Sequence, residues 1–297
     1  MEKLKTFGRL ATILIAFSRT ECISPGQAQD VVLVGAGDIA PCDTFKMTGA
    51  LATATLLDSI AGTVFAAGDL AYANGADSDF ARCYEPTWGR HRARTTPAVG
   101  NHEYTIPKAA GYFNYFGPAA GAPTKGYYSY DLGAWHVVVL NSECSKVGGC
   151  TSISPQGQWL NADLAAHPAS CTLAIWHRPL YSSTSGAASS SMKPLWKILY
   201  DAGAELAVNG HAHNYERFAP QDQNGNFDTD KGIREFIVGT GGASFQSFST
   251  PVANSEVRNS DTFGVLKLTL HPTGSYDWEF VPQGGKTFTD SGSGNCH

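Results

Sequence analysis

The stretch Val208–Arg217 reads VNGHAHNYER and places His211 and His213 directly after an apolar run that ends in glycine. Histidines spaced in this way bind a metal ion in some proteins and are ordinary polar loop residues in others. This stretch alone does not separate the two interpretations, so the ends of the other apolar runs along the chain have to decide between them.

Short apolar runs alternate with helical or irregular stretches after residue 30. The runs occupy residues 31–38, 63–69, 96–101, 135–141, 172–177, 206–211 and 235–240. Most are continuous rather than alternating, which indicates strands that helices cover on both faces. The intervening stretches predict helices at 46–61, 79–91, 154–166 and 191–202. We therefore predict one layered α/β domain.

The C-terminal third of the chain has a different pattern. Two alternating runs meet across Pro272-Thr273-Gly274, which predicts a β-hairpin. Glycine and serine are frequent beyond residue 283. The sequence therefore predicts a domain over residues 29–283 and a Gly/Ser-rich tail over 284–297.

Five of the apolar runs end on side chains that can bind a metal ion. In chain order these are Asp38, Asp69, Asn101 with His102, His177, and His211 with His213. Ligands of open α/β sheets bind at the carboxyl ends of the strands, so we expect these side chains to share one crevice. Glycine precedes four of the five, and we expect it to provide positive φ and close approach to the backbone.

This set of side chains suits two cations of unequal charge. Asp38 and Asp69 supply anionic oxygen, Asn101 supplies a neutral amide oxygen, and the histidines supply neutral nitrogen. Two metals roughly 3.5–4 Å apart can hold the attacking and the leaving oxygen of an in-line displacement. The pattern therefore favours metal binding by His211 and His213, each toward a different ion.

The ordered motifs resemble a known family. They are GDIA (37–40), GDLAY (68–72), GNHEY (100–104), IWHRP (175–179) and GHAHNYER (210–217). Together they resemble the calcineurin-like metallophosphoesterases and, more narrowly, the purple acid phosphatases, over Val31–Phe280. The resemblance implies an α-β-β-α sandwich with two mixed sheets, without the N-terminal β-sandwich domain of the large plant members.

The resemblance also implies an activity. It predicts a phosphomonoester hydrolase in which a metal-bound hydroxide attacks phosphorus in line, with a small phosphoester as substrate. One alternative is a phosphodiesterase or nucleotide-sugar hydrolase on the same dimetal core. Another is a non-catalytic surface protein that keeps the metal site.

Two metal sites follow from the same resemblance. A ferric ion would be held by Asp38, Asp69, Tyr72 and His213, and a divalent zinc, iron or manganese ion by Asp69, Asn101, His177 and His211, with Asp69 as the bridge. Tyr72 supports the narrower assignment, because it lies three residues after Asp69, where purple members carry a tyrosinate on ferric iron. The alternative is a tyrosine that packs on its loop.

His102 is the expected catalytic residue outside the metal ligands. The resemblance implies that it hydrogen-bonds the phosphoryl oxygens or protonates the departing alkoxide. Better-known members carry one or two further histidines shortly after the position of His177, whereas this chain has none between His177 and His211. Tyr181 or a bound water is therefore the alternative acid, and His102 would then only order its neighbours.

The remaining polar residues carry weaker expectations. His136 is predicted to be a packed core histidine, and the other histidines, His91, His167, His271 and His297, lack partners at useful spacing. Glu103, Glu216 and Arg217 are expected to brace the metal-bearing loops. Residues 222–230 alternate Asp and Asn and suggest either a calcium site or an Asn-Gly turn, but they do not match the EF-hand pattern.

The composition limits the partners of the protein. Its 297 residues are 42% hydrophobic and carry a net charge of −5 without a Lys/Arg cluster. Binding to nucleic acid or to an anionic membrane needs a basic face, so neither is expected as a partner.

The N-terminus predicts export. Residues 1–28 combine Lys3, Lys5 and Arg9 with the short apolar run Leu10–Phe17, which is typical of a signal peptide, although a disordered tail is the alternative. Six of the seven cysteines follow residue 28, an even number that suits disulfides in a secreted protein. Cys144 and Cys150 form the nearest pair, and Cys42 with Cys83 and Cys171 with Cys296 are the further suggestions.

Overall fold

The computed structural model of the protein describes Met1, residues 29–43 and residues 47–297. The remainder of the predicted signal peptide lies outside these described residues. The strands are β1 (Val31–Ala36), β2 (Thr63–Ala67), β3 (Thr95–Ala98), β4 (Tyr128–Leu132), β5 (Trp135–Val139), β6 (Cys171–Ile175), β7 (Leu206–Asn209), β8 (Tyr215–Phe218), β9 (Arg234–Val238), β10 (Ser255–Asn259), β11 (Gly264–His271), β12 (Ser275–Pro282) and β13 (Ser291–Asn295). The α-helices are α1 (Thr48–Ser59), α2 (Asp77–Asp79), α3 (Ala110–Phe116), α4 (Pro155–Ala166) and α5 (Lys193–Asp201).

The strands form two mixed sheets. The first has the order β13-β12-β11-β1-β2-β3, in which β1, β2 and β3 are parallel and β11 pairs antiparallel with β1. The second has the order β10-β8-β9-β7-β6-β5-β4, with a parallel centre of β5, β6, β7 and β9. The predicted α/β sandwich with two mixed sheets is confirmed.

The continuous apolar runs are explained by burial on both faces of the second sheet. Val137 and Leu173 belong to the core that lies between the two sheets. Their chain neighbours Val138 and Ala174 belong to a second core, which includes Trp196 of α5. Successive strand residues point to opposite faces, so a strand covered on both faces has apolar residues at every position.

The helix predictions hold where the capping signals are strong. Helix α4 begins after Ser154, whose Oγ accepts a hydrogen bond from the Gly157 amide at 3.2 Å, and Pro155 occupies its first turn. The predicted helix 79–91 is wrong. The chain forms the single turn α2, a π-helical turn over Phe80–Tyr84 and a 3-10 helix over Trp88–Arg94. Pro86 lies between the π-helical turn and the 3-10 helix, and it has no amide hydrogen to donate within a continuous helix.

The C-terminal hairpin is present, but the predicted tail after residue 283 is not a tail throughout. Strands β11 and β12 pair across the turn, and Ser291–Asn295 form β13 at the edge of the first sheet. A Cβ on Gly292 would lie 2.4 Å from the Trp278 ring, and one on Gly294 would lie 2.3 Å from the Tyr276 ring. The small residues are there because the strand lies directly against aromatic side chains.

Three disulfides link the described residues in the pairs suggested by the sequence. They are Cys42–Cys83, Cys144–Cys150 and Cys171–Cys296. The last joins the first residue of β6 to the segment after β13 and spans 125 residues of sequence. Among the described helices, none is both long and apolar enough to cross a membrane.

Candidate metal centre

The predicted site residues lie together at the carboxyl ends of strands from both sheets. Asp38, Asp69 and Asn101 follow β1, β2 and β3 of the first sheet. His177 and His211 follow β6 and β7 of the second sheet. The centre therefore depends on the packing of one sheet against the other.

Three of these residues have a left-handed backbone conformation. Asp38 has φ 59°, Asp69 has φ 53° and His211 has φ 71°. A non-glycine residue held in this region costs about 1–3 kcal/mol, which the surrounding structure must offset. We expected the glycines that precede the predicted ligands to have a positive φ themselves. Of these glycines, only Gly68 does. At Gly100 the requirement is space, because an added Cβ would lie 2.2 Å from Asp69 Oδ1.

One group of polar atoms surrounds the Tyr72 hydroxyl. This hydroxyl donates to Asp38 Oδ1 at 2.9 Å and lies 3.1 Å from His213 Nε2 and 3.4 Å from Asp69 Oδ2. His213 Nε2 is 3.2 Å from Asp38 Oδ1. Two carboxylates, a phenol and an imidazole thus face one another.

A second group surrounds His177 Nε2. This nitrogen lies 3.1 Å from Asp69 Oδ2, 3.2 Å from Asn101 Oδ1 and 3.2 Å from His211 Nδ1. Asp69 Oδ2 belongs to both groups. The structure therefore brings all seven predicted metal ligands together around one shared carboxylate oxygen.

The electrostatics of the centre are those of a buried anionic site. Burial by itself raises the pKa of Asp69, but His177 and His102 hold it well below its usual range. Burial lowers the pKa of His177, and the carboxylates of Asp69 and Asp38 reverse this and raise it to about 10. Burial and the neighbouring cations His177 and Arg178 lower the pKa of His211 to about 3.

The two groups fit different cations. Burial and the Asp38 and Asp69 carboxylates raise the pKa of the Tyr72 phenol, so a strongly charged cation is needed to deprotonate it. The hard oxygens of the Tyr72 group suit a trivalent ion, and the two imidazoles and the amide oxygen of the His177 group suit a divalent one. The residues present therefore fit two metal ions.

Comparison with known proteins places the chain in a family. The model of the calcineurin-like phosphoesterase family matches residues 21–215. The chain belongs to this family. Among its relatives, the chain is 29% identical to purple acid phosphatase 15 of Arabidopsis thaliana over 59% of its own length and 39% of that protein. It is 26% identical to a nucleotide pyrophosphatase/phosphodiesterase of Hordeum vulgare over 77% of its own length and 70% of that protein. Some further relatives are named probable inactive purple acid phosphatases.

The solved structures agree on the fold. The structure of the purple acid phosphatase PPD1 from seeds of yellow lupin (Lupinus luteus) matches 91% of this chain with a TM-score of 0.71 and 23% sequence identity. The present chain spans 54% of the lupin chain. The family resemblance predicted from the motifs is confirmed.

His102 lies beside the candidate metal centre. Its backbone amide donates to Asp69 Oδ1 at 2.8 Å, and its Nδ1 donates to the Ala73 carbonyl at 2.6 Å. The ring centroid is 4.5 Å from that of Tyr72, and about one third of the side chain is exposed, at 35%. The alternative acid, Tyr181, donates its hydroxyl to the Asp222 carbonyl at 2.8 Å.

Glu103 joins two of the metal-bearing loops, as expected. Its buried carboxylate accepts hydrogen bonds from the amides of Asp69 at 3.0 Å, Leu70 at 2.8 Å and Gly100 at 2.8 Å. This single side chain therefore fixes the ends of β2 and β3 relative to each other.

Glu216 and Arg217 were expected to brace the loops that carry the predicted metal ligands, but only Glu216 contacts such a segment. Glu216 accepts from the Ser183 amide at 2.9 Å, in the segment after His177. Arg217 pairs with Asp290 at 2.7 Å. Arg217 therefore holds the segment before β13 rather than a metal-bearing loop.

Two residues of the centre were missed by the sequence analysis. Arg178 Nη1 donates to His211 Nε2 at 2.8 Å, and Arg178 Nε pairs with Glu143 at 2.6 Å. Ser244 Oγ lies 2.8 Å from His213 Nδ1. The position of Arg178 directly after His177 is a usable signal, whereas Ser244 is 31 residues from its partner and carries none.

Four histidines for which the sequence showed no partner at useful spacing each have a carboxylate partner in the structure. Each pairs with a carboxylate: His91 with Asp58, His167 with Asp163, His271 with Asp30 and Asp277, and His297 with Glu205. Most of these partners are distant in sequence, which is why spacing did not indicate them. His136 is buried, as predicted.

The segment 222–230 forms a polar turn. The Asp222 carboxylate accepts from the amides of Asn224 at 2.7 Å and Asn226 at 2.9 Å. These bonds within the segment support the Asn-Gly turn of the two interpretations.

Proposed function

We propose that this protein is a secreted dinuclear-metal phosphoesterase that hydrolyses phosphomonoesters. The observation that carries the proposal is the pair of ligand groups that share Asp69 Oδ2. Asp38, Tyr72 and His213 would complete a ferric site, and Asn101, His177 and His211 a divalent site. The similarity to purple acid phosphatases supports this assignment.

The bound cations would supply Lewis acidity toward the phosphoryl group and an activated water for in-line attack. The protein contributes position and charge. Glu103 fixes the loops that carry Asp69 and Asn101, so these ligands are ordered before any substrate arrives. Arg178 adds a guanidinium beside His211, where it can pair with an anionic phosphoryl oxygen.

His102 is the proposed proton donor to the leaving alkoxide. Its Nδ1 is engaged with the Ala73 carbonyl, which leaves Nε2, 3.8 Å from Asp69 Oδ2, to hold a proton at the centre. The Tyr181 hydroxyl donates to the Asp222 carbonyl and its ring packs against Trp196, so it is oriented by other contacts. We therefore favour His102 over Tyr181.

Phosphodiester hydrolysis is the second candidate function. The observation that favours it is the similarity to the barley protein named nucleotide pyrophosphatase/phosphodiesterase. Rates on an aryl phosphomonoester and on the matching aryl diester separate the two candidates. A higher kcat/KM on the monoester supports the phosphatase, and the reverse result replaces it with the diesterase.

Export is the proposed localisation. The leader-like sequence of residues 1–28 and the three disulfides support it, since disulfides persist in oxidising compartments. N-terminal sequencing of protein recovered from the culture medium tests the proposal. A first residue near Gln29 is expected, and an intact Met1 in protein retained by the cells would contradict it.

The decisive experiment on the metals is a visible absorption spectrum of purified protein before and after a mild reductant. A violet or pink band that Tyr72→Phe removes and Tyr181→Phe leaves unchanged supports a tyrosinate on ferric iron. A colourless protein with two bound metals would replace this with a zinc- or manganese-type phosphoesterase. A metal-loaded protein inert toward every phosphoester would favour the non-catalytic alternative.

A further inference from the structure

A second cluster of histidine and carboxylate side chains lies at the other end of the second sheet. His136 of β5 is 1% exposed, and both of its ring nitrogens face carboxylates. Nδ1 is 2.8 Å from Asp131 Oδ1, and Nε2 is 2.9 Å from Asp163 Oδ2. His167, at the C-terminal end of α4, lies over this pair with its ring centroid 4.7 Å from that of His136.

The cluster has the composition and spacing of a metal site. His136, Asp163 and His167 each offer one ligand atom, and these atoms all lie within 4.8 Å of one another. A tetrahedral zinc ion with bonds of about 2.0–2.1 Å separates its ligand atoms by about 3.3 Å. The separations in the cluster are of that order: His136 Nε2 lies 2.9 Å from Asp163 Oδ2, and His167 Nδ1 lies 3.5 Å from the other oxygen of the same carboxylate, Oδ1.

The surroundings of these three residues match those of histidine-carboxylate metal sites. Asp131 would accept from Nδ1 of His136 while Nε2 binds the ion, an arrangement that orients ligand histidines in many metal sites. Ser129 Oγ donates to Asp163 Oδ1 at 2.7 Å and orients that carboxylate. The two carboxylates carry two negative charges and the two neutral imidazoles carry none, so one divalent cation balances the charge of the cluster.

An ion can reach the cluster from solvent. Asp131 and His167 line a surface cavity of about 230 Å³ together with Trp135 and Pro168. His136 pairs in register with Thr172 of β6, which lies five residues before the predicted ligand His177. Five residues at about 3.3 Å each put roughly 17 Å between these two positions along the strand direction. The cluster is therefore separate from the phosphoesterase centre.

We propose that His136, Asp163 and His167 bind a divalent cation of the zinc class, with water as the fourth ligand. The proton shared by His136 Nε2 and Asp163 leaves as the ion enters. The rings of His136 and His167 are nearly parallel, at 11°, so both cannot point a lone pair at one ion as they stand. Binding turns His167, which is 45% exposed, out of this stack and ties the end of α4 to β4 and β5.

Zinc stoichiometry tests the proposal. The full protein is stripped with a chelator and dialysed against zinc buffered at a fixed micromolar free concentration, and bound zinc per chain is measured by mass spectrometry. His167→Ala is expected to hold one zinc fewer than the wild type. The matched control His297→Ala, which removes another carboxylate-paired histidine, is expected to hold the same number as the wild type.

A second comparison separates this site from the phosphoesterase centre. Asp69→Asn disables that centre, and we expect it to retain one zinc, which the double variant Asp69→Asn with His167→Ala loses. Cobalt in place of zinc is expected to give Asp69→Asn the intense visible absorption of tetrahedral cobalt, absent from the double variant. Equal zinc in the wild type and His167→Ala, with no cobalt absorption in Asp69→Asn, would show that the cluster is only a hydrogen-bonded ion pair.

Discussion

At the scale of single residues, Asp69 connects the two halves of the candidate centre. One carboxylate oxygen lies near both ligand groups, the other accepts from the His102 amide, and the backbone amide of Asp69 donates to Glu103. Its φ of 53° restricts replacement, because asparagine tolerates the left-handed region better than alanine does. Asparagine is therefore the substitution that changes charge with least change of backbone.

We expect Asp69→Asn to lower kcat by more than about 10³-fold, because the shared anionic ligand is lost. Metal content should fall below two ions per chain while the far-ultraviolet circular dichroism stays that of the wild type. Asp277→Asn, an exposed aspartate in β12, is the control. An Asp69→Asn protein with most of its activity would contradict the bridging role.

His102→Ala should lower kcat for a phosphomonoester by about 10²-fold or more, the usual effect of losing a general acid. Metal content and the visible spectrum should not change, because His102 is not in either ligand group. The loss should shrink for substrates whose leaving group needs no proton, such as an activated aryl phosphate. If Tyr181→Phe shows the larger loss instead, the proton donor has been assigned to the wrong residue.

The sequence predicted which side chains would lie together, because most of the predicted ligands come directly after an apolar strand. Asp38 and His211 come from different sheets, but the carboxyl-end rule applies to both. Ser244 could not be found in this way. It reaches His213 through a loop whose path depends on tertiary packing.

At the scale of elements, a buried carboxylate of β9 holds the segment that follows β6. Glu235 accepts from the amides of Leu180 at 3.0 Å and Tyr181 at 3.3 Å. Burial raises its pKa well above the usual range, and Glu216 adds to this effect. The segment after the predicted ligand His177 is thus held by a carboxyl group whose pKa is raised.

This pKa predicts how stability depends on pH. Above about pH 4.5 the unfolded chain loses the Glu235 proton while the folded chain keeps it, so stability falls as pH rises toward the folded pKa. The slope from this group is at most about 1.4 kcal/mol per pH unit. Urea unfolding between pH 5 and 8 should show a shallower decline for Glu235→Gln than for the wild type. The exposed control Glu279→Gln should follow the wild type, and parallel curves for all three would contradict the raised pKa.

The cap of α4 gives a second prediction at this scale. Ser154→Ala removes the acceptor of the Gly157 amide and should cost about 1 kcal/mol of unfolding free energy. Ser154→Asp should recover most of this loss, because a carboxylate also accepts at the start of a helix. Chemical denaturation of the three proteins measures both effects. If the unfolding free energy of Ser154→Ala equals that of the wild type, the cap does not contribute to stability.

This helix also shows what local sequence can predict. Ser154 and Pro155 act within one turn, so their signal needs no tertiary context. The stretch around Pro86 has an apolar pattern that suggests a helix, but the chain forms an α-helical turn and a π-helical turn before this proline and a 3-10 helix after it. Pro86 accounts for the break before Trp88, whereas the π-helical geometry of Phe80–Tyr84 has no comparable local signal.

At the scale of the whole molecule, the disulfides differ in how much chain they constrain. Cys171–Cys296 spans 125 residues and Cys144–Cys150 spans 6. In the chain-entropy model these loops contribute about 5 and about 2 kcal/mol respectively. Replacing both Cys171 and Cys296 by serine should therefore lower the melting temperature more than replacing both Cys144 and Cys150 by serine. The opposite order, measured by calorimetry at one pH, would contradict this ranking.

The Gly/Ser-rich segment at the C-terminus illustrates why composition misled the prediction of a tail. Glycine-rich stretches are often unstructured, yet Gly292 and Gly294 lie against Trp278 and Tyr276, where a larger residue would collide. Glycine is needed at these positions because rings from a neighbouring strand occupy the space that a side chain would fill. Only the sheet order, which places β13 beside β12, reveals it.

The pairing of β1 has a consequence for biosynthesis. Its residues Val31–Gly35 pair on one side with β11, at Leu266–Leu270, so nearly the whole chain must leave the ribosome before that edge is covered. At about 5–20 residues per second the wait is roughly 10–50 seconds. During that interval the nascent chain presents an open apolar strand to its surroundings. Chains released before β11 is made should therefore aggregate, and Asp38, the first predicted ligand to be translated, directly follows one of the last strands to be completed.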